Sequence, residues 1–343
     1  MTPTPTQMRQ EVLEIPDAVE RLLTKGSSGI AKIAQAAAEA DPSFAVTVAR
    51  GSSDHACTFV KYALELELGL PVASIGPSVA SIYGAKLNLA RSITLSVSQS
   101  GKSPDIVAMS EAATRSGSFT VAITNDAASP LSQASRHTID IQAGPERSVA
   151  ATKTFVTSAV AGLLLLAEWK DCDALRGALR ALPERLSEAT ALDWPDLRAA
   201  IGPAASLFTL GRGPSWAISN EAALKFKETC QIHAESYSSA EVLHGPVSIV
   251  GGGFPVLCFA SADAAEASVS DVADQLTAKG ARAFVTSGKA KMAQRLEHVR
   301  TGHPLTDPLA LIVSFYTMIE TVAAERGVNP DAPRHLNKVT ETV

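Results

Sequence analysis

Short apolar runs without clean in/out alternation, each followed by a stretch of helical length, constrain this chain more than any other feature. FAVTVA (44–49), ITLSVS (93–98), FTVAIT (119–124) and TIDIQA (138–143) read as strands, with 71–75 a further candidate. Helical stretches such as HACTFVKYALELEL lie between them. Strands of this kind are buried on both faces, which implies parallel sheets covered by their own crossover helices. Beyond residue 195 the order recurs, with SLFTLG (206–211), FPVLCFA (254–260) and RAFVTS (282–287). ARGSSDHA (49–56) overlays GRGPSWAI (211–218) at a constant offset of 162. Both copies end a strand in R-G-x-S and then open a helix, the mark of an internal repeat. The expected fold class is therefore α/β, with two doubly wound domains in tandem. Their boundary is expected in LPERLSEATALDWPDLR, 182–198.

Composition narrows the function. The 343 residues are enough for two domains, and a chain 46% hydrophobic but only 5% aromatic suits an aliphatic core. A net charge of −5 gives no basic footprint for nucleic acid and no polybasic surface for lipid. The helical first 40 residues are too few for a separate DNA-reading module. Cys57, Cys172, Cys230 and Cys258 are widely spaced and form no CxxC pair, so they read as reduced core residues. No spacing suggests metal ligands, and no cofactor is expected. The N-terminus lacks an apolar signal core, and the apolar stretch Phe155–Leu166, broken by Thr157 and Ser158, is too short to cross a bilayer. The expectation is a cytoplasmic protein with no membrane or nucleic-acid partner.

In open α/β sheets ligands sit beyond the carboxyl ends of the strands, where helix N-termini offer free N–H groups to an anion. The stretch SVSQSGKSPD (96–105) lies at such a place. Ser98, Gln99, Ser100 and Ser103 would add side-chain donors, and Gly101 lets the backbone turn close to a ligand. One serine there would be read as a helix cap; four polar donors around a glycine read as a phosphate cradle. GSSD (51–54) makes a second such loop, with Ser53 its candidate donor. Neither loop carries GxGxxG or GxxxxGK[ST], so dinucleotide and ATP binding are disfavoured. Further on, Lys225 and Glu228 stand at i and i+3 on one helix face, alone an ordinary surface pair. A polar continuation runs from them to His244-Gly245-Pro246, where a fixed histidine suits proton transfer or simply a cap. ERSVAATKTF (146–155) leads into another helix and could line the same pocket. The polar end PRHLNKVTETV (333–343) would by itself be dismissed as a frayed tail.

Taken in order, ARGSSDHA, SQSGKSPD, ERSVAATKTF, EAALKFKETCQIHAESYSSAEVLHGP and PRHLNKVTETV resemble the sugar isomerase (SIS) family. The likeness is closest to the isomerase half of glucosamine-6-phosphate synthase and its deaminase-like relatives, and runs from about residue 30 to the end. It implies two flavodoxin-like subdomains, expected at 1–190, with the N-terminal helical segment, and at 191–332, followed by an active-site tail, 333–343. It implies that Ser98, Gln99, Ser100 and Ser103 bind a sugar phosphate, with Ser53 beside the sugar and Lys225 among the substrate-binding residues. By the same resemblance Glu228 shuttles a proton between C1 and C2, His244 assists ring opening, and Lys338 closes over the sugar, where the synthase forms a Schiff base. A homodimer is implied, with His244 reaching into the partner's site. Two departures stand out: Lys102 replaces a commonly acidic residue, and Ala151 replaces a serine that contacts substrate. The chain starts Met1-Thr2, and the synthase's glutaminase domain is expected to be absent. The expected activity is an aminosugar-phosphate deaminase/isomerase acting on glucosamine 6-phosphate. The alternatives are a synthase-type isomerase fed with ammonia from elsewhere, and a non-enzymatic sugar-phosphate regulator.

Overall fold

In the computed structural model, residues 5–338 are described, and the end of the expected tail, 339–343, lies outside them. The chain forms two compact units that interleave along the sequence. One holds the first sheet and consists of Asp17–Glu146, Lys153–Arg180 and the tail from Asn337; the other holds the second sheet and consists of the residues up to Pro16, Arg147–Thr152 and Ala181–Leu336. The N-terminal residues thus group with the second sheet, whereas the sequence reading attached them to the first. The chemistry of that grouping is specific. Asp331 accepts the Gln7 and Met8 amides at 2.7 and 2.8 Å, and Thr6 donates to Glu320 at 2.8 Å.

Helices α1 (Gln7–Leu13), α2 (Ile15–Arg21) and α3 (Ser27–Ala40) open the chain. Then follow β1 (Phe44–Val48), α4 (Ser52–Leu68), β2 (Val72–Ser74), the short α5 (Ser78–Ser81), β3 (Ser92–Val97), α6 (Pro104–Arg115), β4 (Phe119–Thr124), α7 (Pro130–Ala134) and β5 (His137–Asp140). All pairings are parallel, in the order β2-β1-β3-β4-β5. Helix α8 (Lys153–Trp169) is apolar on nearly every side, and its residues 153–167 are all buried. It packs on α3 and α4 within its unit. A helix with no polar face has to be enclosed in this way.

After α9 (Asp173–Thr190) and α10 (Pro195–Ile201), the second sheet is built from β6 (Ser206–Gly211), β7 (His233–Ser238), β8 (Pro255–Cys258), β9 (Arg282–Val285) and β10 (Gln294–Arg295). Helices α11 (Pro214–Cys230), α12 (Glu266–Ala278) and α13 (Asp307–Glu325) complete it. The order is β10-β9-β8-β6-β7, again all parallel. Numbered from the first strand of each unit, both sheets read 2-1-3-4-5, the flavodoxin-like order. The α/β class and the tandem duplication are as the sequence implies.

Backbone geometry repeats as well. Gly51 (φ 56°, ψ −134°) and Gly213 (φ 60°, ψ −136°) are the N-caps of α4 and α11 at the 162-residue offset. That conformation is nearly closed to residues with a Cβ, so the glycine of R-G-x-S is required by the turn in both copies. The polar continuation towards His244 is partly regular: residues His233–Ser238, not read as a strand from the sequence, form strand β7 paired to β6. The strand lies at a sheet edge, where half-exposed positions tolerate Glu235, Ser236 and Ser238. Among the described residues one helix, α13, is long and apolar enough to cross a bilayer, 19 residues with mean hydropathy 1.3, and it is 89% buried as the core helix of its unit.

The α4–α8 contact gives a direct test of packing. A Cβ on Gly162 would come within 2.3 Å of Val60 Cγ2. Gly162→Ala should therefore cost about 1–3 kcal/mol. In the Val60→Ala background the same substitution should cost much less, read from urea midpoints as a coupling between the two sites.

Candidate active site

In the first-sheet unit, the strand order reverses between β1 and β3, which pair directly with Val48 opposite Ser96. The loops after these two strands therefore emerge side by side, and they are the two polar loops singled out in the sequence. Ser98 is buried, and its Oγ accepts the Gly101 amide at 3.2 Å. Ser100 Oγ accepts the Lys102 amide at 3.3 Å. These acceptor bonds shape the turn and leave the hydroxyl protons of Ser98 and Ser100 to donate elsewhere. Gly101 holds φ +62°, and a Cβ there would sit 2.1 Å from Ser129 Oγ, so the loop is pressed against the start of α7. Ser103 occupies the N-cap of α6 in extended geometry but makes no side-chain capping bond. At this helix start Pro104 has no N–H and the Ile106 amide donates to Asp105 Oδ1 at 2.9 Å, so the loop hydroxyls and the positive end of the helix dipole are what an anion would meet. Ser53 lies in the first turn of α4, half-buried, with no side-chain partner among the described residues. Gln99 is half-buried and Lys102 exposed, the latter 3.8 Å from Asp126.

The same unit contains an ion pair that sequence reasoning did not single out. Glu146, the first residue of ERSVAATKTF, has a fully buried carboxylate. It accepts the Thr154 amide at 3.1 Å and the Thr154 hydroxyl at 2.7 Å, capping the start of α8. Its Oε2 also receives Lys338 Nζ at 2.9 Å. The described end of the tail is thus tied down by its lysine.

In the second-sheet unit, α11 carries a charged row at helical spacing. Lys225 Nζ lies 3.2 Å from Glu221 Oε1 and 2.5 Å from Glu228 Oε2. Tyr316 on α13 donates to Glu221 Oε1 at 3.0 Å. Glu221 and Lys225 have no exposed side-chain surface, while Glu228 keeps 21%. The pair read from sequence as a surface salt bridge is therefore the outer end of a buried triad. Lys225, expected to touch substrate, has its ammonium enclosed by two carboxylates and bears on Glu228. Burial works against the Lys225 charge, but Glu221 and Glu228 outweigh it and hold the ammonium's pKa above the ordinary lysine value. A raised lysine pKa contributes stability fully below the unfolded value of about 10.4 and loses it only above that. The Lys225 ammonium is thus charged throughout the neutral range.

His244 follows a short 3-10 turn, Glu241–Leu243, and is exposed. Its amide bonds to Glu241 O at 2.9 Å, and its imidazole has no hydrogen-bond partner among the described residues. Gly245 after it takes φ 135°, ψ −57°, a conformation that fixes the His-Gly-Pro backbone.

The equivalent crevice of the second sheet, after β6 and β8, is filled by the protein itself. Arg300 donates to the Ala260 and Thr286 carbonyls at 3.0 Å each, to Asp307 at 2.5 Å and to Glu266 at 2.9 Å. Burial disfavours the Glu266 charge, but Lys289, Ser287 and Arg300 outweigh it and hold its carboxyl below the usual range.

The SIS domain family matches residues 41–168 and 201–316, and the chain belongs to that family. The chain is 30% identical over 339 residues to a glutamine–fructose-6-phosphate aminotransferase (isomerizing) of Methanothermobacter thermautotrophicus. That match takes in 96% of this chain but 56% of the relative's length. A solved structure from Silicibacter pomeroyi DSS-3, described provisionally as a phosphosugar isomerase, shares 66% identity with a TM-score of 0.93, covering 95% of this chain and all of that one. The glucosamine-6-phosphate deaminase of Thermotoga maritima shares the fold, with TM-score 0.73 at 18% identity, 95% of this chain and all of that chain being covered.

Of the buried network, Glu221 was within reach of sequence reasoning, four residues before Lys225 on one face. Glu146 lay inside a stretch already singled out. Tyr316 carried no local signal at all, since it meets Glu221 across 95 residues. Removing the central cation should be costly. Lys225→Met leaves the fully buried Glu221 carboxylate and the partly exposed Glu228 without their shared cation and should destabilise the protein by about 3–5 kcal/mol. Adding Glu221→Gln should recover part of that loss, as measured by denaturant unfolding.

Proposed function

We propose that the protein is an aminosugar-phosphate deaminase/isomerase that turns glucosamine 6-phosphate and water into fructose 6-phosphate and ammonia. The observation that carries this reading is the partly exposed Glu228 carboxylate, held on a rigid helix by a fully buried lysine. A regulator that merely senses a sugar phosphate needs no such triad. An enzyme that moves a carbon-bound proton does, because a positioned base in a fixed orientation lowers the barrier to transfer.

In this reading the phosphate rests on Ser98, Gln99, Ser100 and Ser103 at the start of α6. Ring opening exposes an aldehyde at C1 and leaves the amine on C2. Glu228 removes the C2 proton, giving an enolamine, and returns a proton to C1, giving an imine at C2. Water adds to C2 and the C–N bond breaks, so ammonia leaves and the ketose remains. His244 handles the ring-oxygen and O1 protons, and Lys338 closes over the sugar at the carbonyl carbon. Two solved chains matched here along their whole length, one named a phosphosugar isomerase and one a deaminase, support a catalytic unit of this extent. The aminotransferase likeness favours a second reading, the same proton transfer run toward amino sugar with ammonia supplied. We further propose a cytoplasmic homodimer in which His244 serves the partner's site; the exposure of Leu243 (37%) and Ile249 (59%) around it supports a covered face.

Ammonia release from a panel of hexosamine 6-phosphates tests the reaction, and glucosamine 6-phosphate should be the best substrate. No release from any of them, with amino sugar formed from fructose 6-phosphate and ammonium, would favour the second reading. Glu228→Gln should lower solvent exchange of the C2 proton by at least ~100-fold while sugar-phosphate binding stays within a few-fold. Mixing Glu228→Gln with His244→Ala protein should restore part of the activity if sites are shared. Mixtures that form dimers yet stay inactive would exclude His244 from the partner's site.

A further inference from the structure

Arg50 ends the strand-to-loop stretch after β1, immediately before the Gly51 turn. Its Nε donates to Asp105 Oδ2, and its Nη2 pairs with the same oxygen. Asp105 is the second residue of α6, two positions beyond Ser103, and its side chain is fully buried while that of Arg50 is 46% exposed. An arginine offers five N–H donors in a rigid planar fork. One edge of this fork is planted on the buried carboxylate, and its remaining donors have no protein partner among the described residues. The pairing does two things at once. It neutralises a carboxylate that would otherwise repel an anion at the start of α6, and it orients a guanidinium beside the hydroxyl loop with little conformational freedom left to lose.

The second sheet supplies the contrast. There the first-turn acid of the corresponding helix, Glu266, is met by Arg300, whose donors are taken up by two carbonyls and two carboxylates. Arg212, the repeat counterpart of Arg50, makes no such pair among the described residues. What sets the first sheet apart, among the described residues, is that its switch-point arginine is anchored on a buried carboxylate and still keeps a free edge.

We propose that Arg50 is a phosphate-binding residue, its outer edge donating to a phosphate oxygen of the sugar phosphate seated on Ser98–Ser103. This rests on the reading of that loop given above. Recognition is thereby biased toward a dianionic tetrahedral group, which a neutral hydroxyl cradle alone would not discriminate strongly from a smaller anion. The Asp105 partner makes the guanidinium available as an oriented donor pair and not as a mobile point charge, so lysine is an incomplete substitute.

Calorimetric titration of the full-length protein with fructose 6-phosphate, glucosamine 6-phosphate and inorganic phosphate tests this. Arg50→Met should weaken binding of both sugar phosphates by ~10- to 100-fold, the loss of one charge-assisted hydrogen bond, and Arg50→Lys should recover only part. The double variant Arg50→Met/Asp105→Asn decides between direct contact and mere neutralisation. It also relieves the uncompensated buried carboxylate that could unfold the single variant. If Arg50 touches phosphate, the double variant stays as weak as Arg50→Met. Restoration of wild-type affinity would mean that Arg50 serves only to cancel Asp105, and would overturn the proposal. Undiminished binding by Arg50→Met would overturn it alone, whereas a wild-type protein that binds neither sugar phosphate would bring down the loop assignment with it.

Discussion

A charge carried into an apolar matrix costs several kcal/mol unless a partner is carried in with it, and the chemistry-bearing parts of this protein are arranged around that requirement. Lys225 sits between Glu221 and Glu228; Asp105 is met by Arg50; Glu146 is met by Thr154 and Lys338; Arg300 is met by Glu266 and Asp307. In the first three pairings one member is buried and another reaches the surface. The buried member fixes the geometry, and the outer member is thereby presented in one orientation. Glu228, Arg50 and Lys338 are all outer members. A freely rotating side chain on a loop would lack that orientation.

Much of the architecture was legible because parallel sheets leave a strong signature. Strands buried on both faces cannot carry polar alternation, and the R-G-x-S repeat at a fixed offset makes the duplication visible in the sequence. Strand β7 was missed for the opposite reason. HAESYS lies at an edge, one side of it needs no apolar cover, and Tyr237 is only partly buried against the core, edge-on to Phe208 at 5.2 Å. Edge strands are where burial patterning fails as a guide. The candidate site divides along the same line. Loop hydroxyls were visible as a local cluster, whereas the Lys225–Glu228 pair read as surface decoration because nothing within the helix reveals that α13 covers it. Tyr316 and Glu146 act through contacts made across long stretches of chain, and only the fold brings them to their partners.

The duplication also shows how equal backbones come to differ in chemistry. Both units place a glycine with positive φ after the first strand and start a helix from it. In the first-sheet unit the following loop remains rich in hydroxyls, with a glycine pressed against Ser129 so closely that no larger residue fits. In the second-sheet unit the corresponding crevice is closed by Arg300, which satisfies the carbonyls at the ends of β8 and β9. An anion arriving there would find its natural partner already committed to two carboxylates.

This asymmetry extends to the two helices that follow the repeated turn. Helices α4 and α11 are repeat counterparts, yet α4 offers its start, with Ser52 and Ser53, while α11 offers its far end, with Glu228. An anion is favoured at a helix N-terminus and disfavoured at a C-terminus by the same dipole. A carboxylate in the last turn of α11 is therefore held against the local field, and the buried cation one turn earlier is what makes that tolerable. The dipole and the Lys225 ammonium act in opposite directions on that carboxylate. Glu221 and Tyr316 complete the arrangement: Tyr316 donates to Glu221 at 3.0 Å, and Glu221 lies 3.2 Å from the Lys225 ammonium, which is thereby placed against Glu228.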